Sequence, residues 1–281
     1  MKQLYVIGDP IAHSLSPLIQ NTMISALGLK YEYSAKRVAD GDAGRFLVWA
    51  KKGGCAGFNA TMPHKLALFP LLDGVSEDAA LCGAVNTVAV RGGEAYGYNT
   101  DGIGFLQGLV ENGINPVGMR AAVLGAGGAA RAVALKLAQS GCRSVFVLNR
   151  TEEKAEAIAR EFPGVIQPRG LTGDELGRSA AECDLLVNCT PVGMDGVGSA
   201  FESLGFLGEL RAGAPVVDIV YRPSRTALLA AAEKAGHPVL NGLPMLTWQA
   251  LFALERFTET KIDASAVLPK VRAALAERGI A

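Results

Sequence analysis

Residues 121–151, AAVLGAGGAARAVALKLAQSGCRSVFVLNRT, read in order as strand, turn, helix and strand. Ala121 to Leu124 is a short apolar run that enters a glycine turn. Gly125, Gly127 and Ala130 stand there in the spacing G-x-G-x-x-A, and an alanine-rich helix leaves it. A turn without side-chain bulk lets a pyrophosphate reach the free N–H groups and the positive dipole end of the following helix. The second strand, Ser144 to Leu148, ends at Asn149-Arg150-Thr151. A chain that binds NAD usually carries an acid at that strand end for the ribose 2′-hydroxyl. An arginine there pairs bidentately with a 2′-phosphate, so the reading favours NADP over NAD. Lys154, one helical turn beyond Arg150, either adds a second positive group or is a solvated helix-face lysine. A glycine triplet alone is often only a tight turn; the ordered strand, glycines, helix, strand and basic terminus together carry the expectation of a dinucleotide.

At 281 residues and 49% hydrophobic content, the chain can bury a large core and is long enough for two domains. Lys+Arg and Asp+Glu both total 27, which leaves no basic footprint for nucleic acid and no acidic tail. Cys55, Cys82, Cys142, Cys183 and Cys189 form no C-x-x-C pair and no His/Cys metal spacing, so they read as reduced thiols and no metal is expected. The apolar run near Met1 is too short for a signal peptide, and no stretch reaches membrane-spanning length. A cytoplasmic chain without a membrane partner is expected.

The first hundred residues alternate strand-like and helix-like segments. Leu4 to Ile7, Tyr31 to Val38 and Cys55 to Asn59 read as strands, and helices follow Ser16-Pro17 and cover Phe46 to Lys51. Asn86 to Val90 and Glu94 to Tyr98 flank Arg91-Gly92-Gly93 as a hairpin. A helix is expected from Asp101 to about Asn112, strands at Asp184 to Asn188 and Pro215 to Val220, and helices near Leu246 to Phe257 and Ala264 to Arg278. The class is α/β with two lobes, and ligands in such sheets sit beyond the carboxyl ends of strands.

Reduction of a carbonyl by a nicotinamide leaves negative charge on oxygen that must be stabilised and protonated. Lys65 fits that need: it follows Phe58-Asn59-Ala60-Thr61-Met62-Pro63-His64, in the first turn of a helix begun by Pro63, whose positive end disfavours an ammonium. Asp101 starts a helix, where a carboxylate is also a good cap, and Ser14 and Ser16 precede or neighbour Pro17 as further cap candidates. His13 and His64 lack a neighbouring carboxylate in the sequence and read as orienting or structural.

Taken together, these segments resemble the shikimate dehydrogenase family. The matching runs are Ser14 to Pro17, Asn59 to Lys65, Gly83-Ala84-Val85-Asn86-Thr87, Gly97 to Asp101, Gly125 to Arg131, Asn149 to Thr151, Asn188 to Met194, Asp218 to Tyr221, and Gly242 through Met245 to Gln249. They span nearly the whole chain in the family's order. The resemblance implies a two-lobed α/β fold: residues 1–101 and 242–281 as an N-terminal substrate domain with the C-terminal helices packing back on it, and residues 102–241 as a Rossmann-like NADP domain.

It further implies reversible NADP-linked oxidation of shikimate to 3-dehydroshikimate. Lys65 and Asp101 match the family's catalytic pair, with the lysine as proton donor in reduction. Ser14 and Ser16 match serines on the ring carboxylate; Asn59, Thr61, Asn86, Tyr221 and Gln249 match polar groups around the ring. Gly125, Ala126, Gly127, Ala130, Asn149, Arg150, Thr151 and Lys154 match the cofactor set, and Thr190, Val220, Gly242 and Met245 lie near the nicotinamide in that pattern. The expected partner is a small polyol acid, with a homodimer as an allowed assembly. Ala60 and Met62 depart from the family's usual aliphatic pair and are expected to alter packing beneath the ring-binding groups, touching substrate preference more than chemistry. Quinate or an aminoshikimate fits the same motifs. From a different class, the alternative is a non-catalytic sensor of NADP or a shikimate-like ligand, against which the retention of both Lys65 and Asp101 argues.

Overall fold

Two six-stranded sheets organise the chain in the computed structural model, which describes residues 1–198 and 200–280. The first sheet is built from β1 (Lys2–Gly8), β2 (Tyr31–Arg37), β3 (Gly57–Ala60), β4 (Gly74–Val75), β5 (Thr87–Arg91) and β6 (Glu94–Tyr98). Between them run α1 (Ser16–Ala26), α2 (Ala43–Trp49), α3 (His64–Leu68) and α4 (Glu77–Cys82), and α5 (Asp101–Glu111) follows. The strand order is β2-β1-β3-β5-β6-β4, with β1 parallel to both neighbours and the expected β5–β6 hairpin closing Arg91 against Glu94. Ile7, Phe46, Phe58, Leu68 and Val88 form part of its core.

The second sheet takes β7 (Arg120–Leu124), β8 (Ser144–Asn149), β9 (Ile166–Gly170), β10 (Leu185–Asn188), β11 (Val216–Asp218) and β12 (Val239–Leu240). The helices α6 (Gly128–Gln139), α7 (Glu152–Ala159), α8 (Gly173–Glu182) and α9 (Ala227–Lys234) alternate with these strands. All five pairings are parallel, in the order β12-β11-β10-β7-β8-β9, the doubly wound arrangement of a dinucleotide-binding sheet. Parallel strands covered on both faces need no polar face, which is why Ala121 to Leu124 are all fully buried and show no alternation. In such a sheet every strand delivers its following loop to the same edge, so the residues after β7, β8, β10, β11 and β12 share one rim.

Helices α10 (Leu243–Thr258) and α11 (Ala264–Ala276) complete the chain. α11 packs against α1, and Gln20 on α1 donates to the Ala250 carbonyl of α10 at 2.9 Å. The C-terminal helices therefore belong with the first sheet, and the chain forms two compact units, residues 1–104 with 247–281 and residues 105–246. The divisions fall within α5 and α10, close to the helix starts where the sequence pattern changes.

Three sequence expectations need correction. Neither Ser14 nor Ser16 is the α1 cap: Leu15 occupies that position without a side-chain bond, and the Ser14 hydroxyl accepts from the Ser16 N–H at 3.3 Å. Asp101 does not spend its carboxylate on capping α5; Asn99 accepts from the Asp101 N–H at 3.1 Å instead. Met62 does not pack beneath anything, being 72% exposed, because its backbone carbonyl is drawn to the Asp9 N–H and its side chain turns out, whereas Ala60 is buried in the core.

Candidate active site

The loops after the parallel strands β1 and β3 are tied together in the first unit: the Thr61 N–H donates to the Ile7 carbonyl at 2.9 Å and Asp9 N–H to the Met62 carbonyl at 3.1 Å. Past that junction, Lys65 stands in the first turn of α3, a helix of only five residues. Its amine rests on the Asp101 carboxylate, Nζ to Oδ2 2.5 Å, so an ion pair rather than a helix end dominates its surroundings. The pair is largely shielded, the lysine side chain keeping 24% and the aspartate 10% of their exposure.

The second oxygen of Asp101 accepts from Asn86 Nδ2 at 2.7 Å. Asn86 is buried just before β5, and its amide capacity is filled: Nδ2 also donates to Thr100 Oγ1, while Oδ1 accepts from the Thr100 N–H and the Thr87 hydroxyl. A substrate hydroxyl reaches this amide only by replacing one of those bonds. Asn59, on β3, has both donors committed as well, to the Asn86 carbonyl at 3.0 Å and Thr87 Oγ1 at 2.9 Å. Its Oδ1 accepts from the Tyr33 hydroxyl at 2.6 Å. Among the residues expected here, Lys65, Asp101, Asn86 and Asn59 thus form one hydrogen-bonded cluster; Ser14, Ser16, Thr61 and Gln249 are half-buried on the same unit. Tyr33, Thr87 and Thr100 complete the cluster; the two threonines lie inside the matched runs but were given no role, and Tyr33 lies outside them, since a strand tyrosine looks like an ordinary sheet residue.

His64 is fully buried, its Nε2 2.8 Å from the Val38 carbonyl, which assigns that nitrogen as the donor and gives the ring the structural role expected of it. Trp248 is half-buried and stacks on Phe252 with ring centroids 5.7 Å apart.

In the second unit, Gly125 follows β7 with φ +104°, and a Cβ there would meet Thr190 Cγ2 at 3.2 Å and the Cys189 carbonyl carbon at 3.4 Å. Gly127 and Gly128 face open space, and α6 begins at Gly128 with no side chain capping its N–H groups. An uncapped helix start behind a bulk-free turn is the cradle a pyrophosphate needs. Ala130 is fully buried, Ala126 half-buried, and Gly127 and Gly128 exposed. At the end of β8, Asn149 Nδ2 donates to the Thr151 carbonyl at 2.8 Å, fixing the turn that carries Arg150. Arg150, Thr151 and Lys154 are exposed, and neither cation forms an ion pair among the described residues. The residues present therefore fit a dinucleotide with a 2′-phosphate.

Beyond β10 and β11 lies a fully buried polar group. Asp218 Oδ1 accepts from Asn188 Nδ2 at 2.9 Å and the Val220 N–H at 3.1 Å, and Oδ2 accepts from the Thr226 hydroxyl at 2.7 Å. Burial raises the pKa of this carboxyl, and these three donors oppose the rise. Asn188 in turn accepts from Thr190 N–H and hydroxyl, so Asp218 fixes both Thr190 and Val220. Gly242 donates to the Val220 carbonyl at 3.1 Å and lies so close to β11 that a Cβ would fall 1.9 Å from the Ile219 oxygen. Met245 and Tyr221 are half-buried, and burial raises the Tyr221 phenol above its ordinary range.

A doubly wound sheet with a bulk-free turn and a basic second strand end, on a chain whose other unit carries a shielded lysine–carboxylate pair, defines a dinucleotide-linked dehydrogenase. Two family models match: the shikimate dehydrogenase substrate-binding domain over residues 6–88, and shikimate/quinate 5-dehydrogenase over residues 111–193. The chain belongs to the shikimate dehydrogenase family. It is 41% identical over 278 residues to the shikimate dehydrogenase (NADP(+)) of Geobacter metallireducens, covering 97% of this chain and 96% of that one. The Geobacter sulfurreducens protein of the same name is 44% identical over 264 residues, covering 91% and 90%. Among solved structures, shikimate 5-dehydrogenase from Thermus thermophilus in complex with NADP(H) and shikimate superposes with a TM-score of 0.86 at 38% identity, over 98% of this chain and 100% of that one. No helix among the described residues is long and apolar enough to cross a membrane.

Proposed function

We propose that this chain is an NADP-dependent shikimate dehydrogenase, interconverting shikimate and 3-dehydroshikimate. The observation that carries the reading is the Lys65–Asp101 contact of 2.5 Å, shielded from solvent and braced by Asn86. Bound NADP supplies the hydride acceptor for alcohol oxidation and NADPH the donor for the reverse. In reduction Lys65 gives a proton from Nζ to the carbonyl oxygen as charge develops there, and Asp101 holds the amine in line for that transfer. In oxidation the same pair receives the hydroxyl proton.

Ser14 and Ser16 hold the ring carboxylate, and Asn59, Thr61, Asn86, Tyr221 and Gln249 surround the ring. A site that pairs each hydroxyl rejects analogues that leave those groups unpaired. Gly125, Ala126, Gly127 and Ala130 form the pyrophosphate turn, Asn149, Arg150, Thr151 and Lys154 meet the ribose phosphate, and Thr190, Val220, Gly242 and Met245 line the nicotinamide end. All five cysteines are free thiols, which fits work in the reducing cytoplasm.

The test is an absorbance assay at the NADPH band with shikimate and quinate, each offered with NADP and NAD. Turnover of shikimate with NADP is the expected result. Preference for quinate would reassign the substrate, and binding without turnover would make the chain a sensor.

A further inference from the structure

We infer that Tyr33, acting through Thr87, is a positioning residue for the Lys65–Asp101 pair; the inference rests on the proposed reaction for its kinetic readout alone. Tyr33 lies on the edge strand β2, two strands from β3, and is almost fully buried. Its backbone is sewn to α1 by Asn21, whose side chain donates to the Tyr33 carbonyl at 2.7 Å and accepts from its N–H at 2.9 Å. The phenol reaches past β1 to Asn59.

The bonds from that phenol run in one sense. The Tyr33 hydroxyl donates to Asn59 Oδ1 at 2.6 Å, and Asn59 Nδ2 donates to Thr87 Oγ1 at 2.9 Å. The Thr87 hydroxyl donates to Asn86 Oδ1 at 2.8 Å, and Asn86 Nδ2 donates to Asp101 Oδ1 at 2.7 Å, leaving Oδ2 to Lys65. The direction is not arbitrary. Asn59 Nδ2 also faces the Asn86 backbone carbonyl, and Asn86 Oδ1 also accepts from the Thr100 backbone N–H, so backbone groups that cannot exchange roles set which end of each amide donates. Burial raises the Tyr33 pKa well above the ordinary phenol value, which keeps the proton in place and the hydroxyl a donor.

Each link restricts the next. Asn59, held at Oδ1 by the phenol, presents both N–H bonds toward Asn86 and Thr87. Thr87, receiving one of them, gives its single proton to Asn86 Oδ1 at 2.8 Å, the nearer acceptor beside Thr100 Oγ1 at 3.5 Å. Asn86 then has no freedom to turn its amide, and Asp101 presents Oδ2 to the lysine. Buried networks of this kind polarise along their length, so loss of a distant member is felt at the end.

The experiment compares Tyr33→Phe, Thr87→Val and Thr87→Ser with wild type. Thr87→Val keeps the shape and removes the hydroxyl, whereas Thr87→Ser keeps the hydroxyl. Shikimate turnover is expected to fall about fivefold in Tyr33→Phe, the worth of one neutral hydrogen bond, and about 10- to 100-fold in Thr87→Val. The loss should lie in kcat, with Thr87→Ser close to wild type. In a Lys65→Ala background, Thr87→Val should add nothing, since the chain acts only through that pair. Independently of any turnover, reductive methylation of Lys65 in the ligand-free protein, followed by mass spectrometry, should quicken several-fold in Tyr33→Phe and Thr87→Val but not in Thr87→Ser. Lower melting temperatures with unchanged kcat and Lys65 labelling, or losses that add fully to Lys65→Ala, overturn the proposal. If Thr87→Val does not fold, Tyr33→Phe and Thr87→Ser decide by the same two readouts. A wild type inert toward shikimate would defeat the proposed function while the labelling result still judges the positioning role.

Discussion

Lys65 and Asp101, 36 positions apart in sequence, meet at 2.5 Å, while the far oxygen of the same carboxylate is held by Asn86 at 2.7 Å. The carboxylate is thus gripped from both sides and the lysine from one. Lys65→Ala should lower kcat by about 10²- to 10⁴-fold, the usual worth of a positioned proton donor. Lys65→Arg keeps the charge but holds its proton, so it should recover little. Asp101→Asn should fold and lose most turnover. An arginine variant with full activity in the NADPH assay would remove Lys65 from the chemistry.

Arg150 stands exposed at the end of β8, where Asn149 occupies the place of an acid. Arg150→Asp should raise the KM for NADP by about 10- to 100-fold, the range of a charge-assisted hydrogen bond, and change that for NAD far less. Steady-state titration with both cofactors reads the ratio. An unchanged NADP-to-NAD preference would place the phosphate elsewhere.

Gly242 has no room for a side chain, since the carbon of an alanine would lie 1.9 Å from the Ile219 backbone oxygen. The Ile219 oxygen is backbone, directly after β11, and cannot yield as the end of a flexible side chain does. Gly242→Ala should destabilise by about 3 kcal/mol, visible as an earlier thermal transition, and should weaken NADP binding through the displaced Val220. A variant that melts with wild type would show that the chain after β12 is free to move.

Asp184 takes a charged hydrogen bond from Arg120 at 3.2 Å and an ion pair from Arg211 at 2.9 Å, and the Arg120 bond above all holds its carboxyl below the ordinary range. A carboxyl depressed in the folded state contributes its full stability above the unfolded value, about 4. That contribution fades as pH falls below this toward the native value. The groups are partly exposed, so the effect is about 1 kcal/mol. Asp184→Asn should therefore be less stable than wild type in urea at pH 7 and equal to it near the acid limit. A gap independent of pH would show that the charge is not what matters.

The second unit was the more legible in sequence. Its central strands are covered on both faces and read as unbroken apolar runs, and the glycine turn after Leu124 marks where a helix starts. β9 escaped because Ile166–Gly170 contains Pro168, which only an edge strand tolerates, and β9 pairs with β8 alone. The two-residue strands β4 and β12 are too short for any period to register. In the site, Lys65 and Asp101 were legible through their motifs, but the capping role given to Asp101 was not realised, because Lys65 and Asn86 occupy its two carboxylate oxygens. Tyr33 carried no signal at all: its hydroxyl matters through Asn59, a contact across two strands that spacing along the chain does not encode.

The packing of α11 on α1 sets an order on biosynthesis. Residues 105–246 emerge from the ribosome as one uninterrupted block that holds every strand of its own sheet. The earlier block cannot finish on arrival, since α1 packs against a helix that begins only at Ala264. The half made first is the half completed last, and a nascent chain stalled before its final helix carries an uncovered apolar flank for chaperones to find.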